Sequence, residues 1–325
     1  MMSMVLERKD ISLYLLDLPV ELEGYSYFLN SWLLKDKEQG LSILVDPGPS
    51  ETIPHLVRAM AREGVLEPHI VLITHVHIDH SGGAGHLAEI FPGVSFVVAE
   101  KGIKHLSEPS RLWESSLATL GDKALAYGSI RPVPAGNLQV QNNSLSHLLT
   151  VIETPGHASH HRSYLYRDIL FCGEAAGVHL PWKEEIFSAL GNARVRSSLH
   201  YLRPATPPPF NFQVTVSSLL KLQELFLQPS LMCYSHYGFT SEPSKMLASH
   251  MEQLFLWRDL IGEYLRPEAL SEIRGEDAFI QEALLNLLLE KDPRLAGFGL
   301  LDANIRKREE YFLLNSIKGF VKSLI

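Results

Sequence analysis

The sequence predicts an α/β (α+β) chain whose main body is a four-layer αββα sandwich, two mixed sheets with helices outside, followed by a helical C-terminal domain. Three observations predict it. Many short apolar runs follow one another with turns but no helix between them, which a doubly wound sheet does not allow. Beyond Pro243 the strand signals stop and apolar side chains recur at helical spacing. The 325 residues exceed what one ordinary core organises, so a large domain over 1–242 and a smaller one over 243–325 are expected.

Taken in order, "ISLYLLDL", "YSYFLNSWLL" and "LSILVDPG" alternate apolar and polar residues and predict three strands. Residues 51–64, "ETIPHLVRAMAREG", show helical spacing and end on a capping glycine. A strand over 70–74 leads into "HVHIDHSGG", then come a helix over 83–90, a strand over 94–99 and helical sequence over 103–128. Further strands are expected near 138–141, 147–154, 162–167, 169–173 and 231–235. In the C-terminal domain, Met246, Leu247, Met251, Leu254, Phe255 and Ile261 mark one helical face and Ile305, Phe312, Ile317, Phe320 and Val321 another. Pro293, Gly297 and Gly299 break the domain into at least two parts.

The totals exclude several classes. A net charge of −8 argues against a nucleic-acid surface, and no apolar run approaches a membrane span. The N-terminus, with Glu7 and Asp10 and no small-residue cleavage site, does not read as a signal peptide. The two cysteines, Cys172 and Cys233, lie in apolar runs and read as buried reduced thiols of a cytoplasmic protein.

The histidines are clustered. His75, His77, Asp79 and His80 sit directly after the run Ile70–Ile73, where the chain leaves a buried strand. Burying that many polar heads without partners is costly, and a metal ion satisfies them. His157 in "ETPGHASHH", Glu174 in "LFCGEAAG", His236 in "MCYSHYG" and Asp46 in "ILVDPG" also follow apolar strands, so all are expected on one rim. Nitrogen and carboxylate donors of this kind suit zinc, with iron or manganese as alternatives. His75 and His77, two apart in an extended loop, point the same way, whereas Asp79 and His80 are offset by a turn, which favours two ions side by side.

Together these motifs resemble the metallo-β-lactamase superfamily: "THVHIDH" fits its HxHxDH signature, and the later histidine, acid and histidine fall in its order over residues 13–238. The resemblance implies His75, His77 and His157 around a first metal ion and Asp79, His80 and His236 around a second. It places Glu174 where the family carries a bridging aspartate. Asp46 matches the aspartate that orients the histidine loop from behind, and His161 the histidine that supports it in glyoxalase II-like relatives. His160 and His86 read as ordinary structural residues. The implied cofactors are two divalent transition-metal ions, and the implied reaction is hydrolysis of a small-molecule substrate by metal-activated water, with Asp79 also passing a proton to the leaving group.

A thioester, a lactone or a phosphodiester each fits, the glyoxalase II and acyl-homoserine lactonase branches being the nearest analogies. A regulatory metal-binding protein and a homodimer stay open. The di-iron redox branch fits poorly, since it has an acid where this chain has His77. The long segment 177–212, with Trp182, Arg194, Arg196, Tyr201, Arg203 and Phe210, reads either as a lid for an apolar, anionic substrate or as packing for the helical domain.

Overall fold

The computed structural model describes residues 2–181, 183, 186, 201–265 and 278–324. The chain forms two compact units. Met1–Glu153 with His160–Arg167 make the first, and Thr154–Ser159 with Asp168–Ile325 the second. The boundary expected at 242/243 falls inside the second unit.

The first unit is organised by a seven-stranded sheet in sequence order: β1 (Met2–Glu7), β2 (Ile11–Asp17), β3 (Asn30–Asp36), β4 (Leu41–Val45), β5 (Ile70–Leu72), β6 (Ser95–Val97) and β7 (Leu138–Gln139). Strands β1 to β4 are antiparallel, and β4 to β7 run parallel. The parallel half needs a crossover after β4, and α1 (Ile53–Arg62) supplies it. Its apolar residues Ile53, Leu56 and Met60 face inward, and Pro54 occupies the first turn, where a missing N–H costs nothing. It ends as the sequence predicts. Gly64, at φ +75°, donates to Ala61 O, and Val65 N–H reaches Met60 O at 3.0 Å, which closes the last turn.

The region 103–128 is helical as expected but in three pieces, α4 (Glu100–Ser107), α5 (Ser110–Leu120) and α6 (Asp122–Tyr127). Pro109 and Gly121, the latter at φ +55°, make the breaks. Two short helices precede them, α2 (Ile78–Ser81) and α3 (Ala84–Ile90), and an antiparallel pair, β8 (Leu149–Glu153) and β9 (Arg162–Tyr166), completes the unit. β1 is an edge strand that the sequence reading missed, with Met4 largely exposed and a register shift beside it.

In the second unit β10 (Ile169–Gly173) pairs in parallel with β13 (Leu231–Tyr234), which pairs with β14 (Phe239–Thr240). β11 (Val178–Leu180) and β12 (Tyr201–Arg203) form a separate antiparallel pair. Among the described residues the helices are α7 (Phe212–Gln223), α8 (Pro243–Tyr264), α9 (Ala278–Lys291) and α10 (Ala303–Leu324). The Asn211 side chain accepts from Val214 N–H and caps α7, and α8 starts at Pro243, where the helical reading began. Short 3₁₀ turns at Pro293–Leu295 and Phe298–Leu300 separate α9 from α10. Among the described residues no helix is long and apolar enough to cross a membrane.

Two buried polar networks tie these helices to β12. Arg203 Nε lies 2.5 Å from Glu309 Oε2, and Arg308 Nε lies 2.8 Å from Glu309 Oε1. Burial alone would raise the Glu309 carboxyl, but the two guanidinium groups outweigh it and hold it below the usual range. In the other network, Gln253 donates to Leu202 O and to Asp292 Oδ2, Trp257 donates to the same carboxylate, and His250 Nδ1 lies 3.2 Å from Gln253 Oε1.

Burial pushes the His250 imidazole down to about 4, with the nearby Arg294 charge adding to it and the Gln253 bond opposing it. His250 thus stays neutral in the fold while the unfolded chain protonates near 6.5. It contributes stability that is present above pH 6.5 and lost as pH falls towards 4. The expected loss is about 3 kcal/mol over that interval. Urea unfolding of wild type and His250→Asn at pH 7 and 4.5 measures it: the variant should lose less stability between the two, and equal losses would contradict the assignment.

Candidate metal centre

In the first unit the histidine loop is held from below. Asp46 ends β4 in the left-handed region, at φ +52°, which aspartate tolerates better than most residues. Its amide donates to Leu72 O, and its carboxylate grips Thr74 twice, accepting from the amide at 2.8 Å and from the hydroxyl at 2.7 Å. Because the Thr74 hydroxyl spends its proton on Asp46, it accepts from His75 Nδ1, 3.0 Å away. That fixes the tautomer: Nδ1 carries the proton and Nε2 carries the lone pair that a metal ligand needs. The same carboxylate lies 3.8 Å from His80 Nδ1, while Gly48 N–H donates to His80 O.

His77 is extended, at φ −62° and ψ 144°, and α2 starts immediately after it. This switch turns Asp79 and His80 away from the alternation of His75 and His77. The His75 ring lies 4.6 Å from that of His77 and 4.4 Å from that of His80, and His80 Nε2 is 3.4 Å from Asp79 Oδ2. His161 is fully buried with its ring 5.3 Å from His75. His160 Nδ1 accepts the Val76 N–H at 3.4 Å, and its ring lies 5.9 Å from that of His77. A backbone amide as partner leaves no trace in residue identity, so the sequence offers no sign of it. His86 faces Ser50, Ile53 and Arg131 on α3, outside this cluster, and burial with the Arg131 charge pushes its imidazole pKa down.

In the second unit Glu174 follows β10 directly, and the β10–β13 register shifts between Phe171 and Gly173. Such a shift re-aims the side chain that follows it. Ser235 N–H donates to Gly173 O, so the ends of β10 and β13 are bonded beside Glu174 and His236. The loop carrying His157 is pinned by Ser218 of α7, which donates to Pro155 O at 2.6 Å. Gly156, at φ +158°, lies so close to Thr215 that a side chain would not fit.

Glu174 Oε2 lies 2.9 Å from His157 Nε2, and Oε1 lies 3.5 Å from His236 Nε2. The three groups are almost fully buried. His157 Nδ1 is 3.0 Å from Ala205 O. A carbonyl only accepts, so Nδ1 carries the proton and a neutral ring turns its Nε2 lone pair to the carboxylate. Two buried acceptors at that distance need a cation between them, a metal ion or a second ring proton. The donor set, imidazoles and carboxylates, suits a divalent transition metal.

A family model described as the metallo-beta-lactamase superfamily matches residues 27–236. The chain belongs to that superfamily. Its fold is the αββα sandwich of these proteins with a helical C-terminal region. A probable metallo-hydrolase of Methanocaldococcus jannaschii is 31% identical over 155 residues, 48% of this chain and 70% of the relative. A metallo-beta-lactamase fold-containing protein of Sulfurisphaera tokodaii is 26% identical over 258 residues, 72% of this chain and 86% of the relative. The crystal structure of an archaeal superfamily protein from Sulfolobus tokodaii superposes with a TM-score of 0.57 at 23% identity, over 87% of this chain and 97% of that one.

The lid reading fares less well. Trp182, Arg194 and Arg196 lie outside the described residues. Tyr201 and Arg203 are buried in β12, Arg203 paired with Glu309 and its guanidinium 4.8 Å from the Phe312 ring. The Phe210 ring lies 4.8 Å from that of Phe320 of α10, tilted by 50°. These three serve packing, the alternative left open from the sequence. Cys172 and Cys233 are buried free thiols, and burial pushes both thiol pKa values up.

Proposed function

We propose that this superfamily member is a dinuclear metal-dependent hydrolase of ester-type bonds, a thioester or a lactone first. The proposed ligands are His75, His77, His157 and Glu174 for one divalent ion and Asp79, His80 and His236 for the other. The observation that carries the reading is the Glu174 carboxylate, whose two oxygens face His157 and His236, one imidazole from each proposed set. Membership of the superfamily and a relative named a probable metallo-hydrolase support it.

Bound there, two divalent cations lower the pKa of water towards neutrality and polarise the scissile carbonyl. The chain's own contribution is preorganisation. Asp46 and Thr74 hold His75 with Nε2 outward, and Ala205 O does the same for His157. Asp79, the most accessible carboxylate of the set, receives or returns a proton at the leaving group. Zinc suits the nitrogen-rich donors best, with iron or manganese behind it.

The test is a panel of thioesters, lactones and phosphodiesters assayed with zinc, manganese and iron forms, alongside metal analysis. The expected result is close to two ions per chain and turnover of a thioester or lactone. Turnover of phosphodiesters alone would move the substrate class. No metal after reconstitution at neutral pH would sink the hydrolase reading.

A further inference from the structure

The proposed first metal site depends on a carbonyl, and that carbonyl is gripped by the C-terminal helix. Ala205 O, which fixes the His157 tautomer, lies in the short segment after β12. Both neighbours of Ala205 bond to one residue of α10. Ser316 Oγ donates to Pro204 O at 2.9 Å and accepts from Thr206 N–H at 3.4 Å. Thr206 Oγ1 in turn lies 3.4 Å from Ser316 O. One turn on, Gly319 lets the helix approach so closely that an added Cβ would overlap the Thr206 carbonyl oxygen. Two turns before Ser316, Glu309 holds Arg203. Ser316, Thr206 and Ala205 are all nearly inaccessible.

We propose that α10 is a positioning element of the metal centre, in which Ser316 and Gly319 set the Ala205 carbonyl that holds His157 with Nε2 outward. This rests on the metal-centre reading above. Residues 203, 204 and 206 are each fixed by α10, so the carbonyl between them has no freedom to swing. An imidazole whose Nδ1–H partner moves loses both its ring orientation and its tautomeric preference. The helical region is thus part of the proposed site's scaffold, and its link to His157 ends on the Ala205 backbone carbonyl.

The test titrates apo-protein with cobalt(II) and zinc(II), reading cobalt absorption and zinc competition against a chromophoric chelator. Circular dichroism and thermal melting are run on the same samples. Ser316→Ala and Gly319→Ala are compared with Ile305→Ala, a buried α10 residue about 16 Å along the helix from Ser316. Ser316→Ala should weaken the tighter cobalt site about tenfold, as loss of an outer partner does, and alter its absorption. Gly319→Ala should do so more strongly. Ile305→Ala should lower the melting temperature and leave cobalt affinity and absorption unchanged.

Cobalt binding by Ser316→Ala and Gly319→Ala that matches wild type would overturn the positioning role alone. So would an equal loss in Ile305→Ala, because the effect would then track stability. Wild-type protein that takes up no metal would overturn the metal centre itself, and the positioning role with it.

Discussion

Replacing His75 or His236 with alanine is expected to abolish hydrolysis while leaving the fold intact. Each imidazole is buried, but each belongs to a loop that leaves a strand end rather than to the apolar core. In His75→Ala the Thr74 hydroxyl keeps its bond to Asp46, so no buried donor is stranded. In His236→Ala the bonded ends of β10 and β13 remain, because they are joined through Ser235 and Gly173 backbone groups. Loss of an outer partner of a metal ligand costs roughly 10–100-fold in activity. Loss of a ligand should exceed that and push turnover below detection. Metal analysis adds a contrast: His75→Ala should empty the four-ligand set first, and His236→Ala the three-ligand set. Circular dichroism showing global unfolding in both variants would contradict this account.

The histidine loop was legible because its chemistry is written in adjacent residues. Three imidazoles and a carboxylate straight after Ile70–Ile73 read the same whatever surrounds them. Asp46 was legible too, as an acid at a strand end, although its grip on Thr74 and its φ of +52° were not. What stayed hidden is carried by the backbone. Val76 N–H on His160 and Ala205 O on His157 involve groups that every residue has, so neither spacing nor residue type betrays them. Strands of two or three residues, such as β11, β12 and β14, are too short for a period to show. The lid reading of Arg203 missed its partner because Glu309 lies 106 residues along the chain.

Glu174 stands where the resemblance implies a bridging aspartate, and Glu174→Asp is expected to lower both metal occupancy and rate. The proposed bridge places one carboxylate between His157, on the first ion, and His236, on the second. Oε2 is 2.9 Å from the first ring and Oε1 is 3.5 Å from the other, so the present side chain already spans the gap. Aspartate restores the family's residue but shortens the reach by one methylene. The backbone before it carries the β10 register shift, and it would have to move to bring a shorter acid into place. Metal affinity and turnover should therefore both fall, although the charge is kept. Glu174→Gln keeps the length and removes the charge. Two cations held by these sets would then repel with less compensation, and the three-ligand set should lose its ion first, leaving close to one per chain. Metal analysis and initial rates on the two variants separate reach from charge. Full occupancy and full activity in Glu174→Asp would show that the backbone is not adapted to glutamate, and two retained ions in Glu174→Gln would show that Glu174 is no bridge.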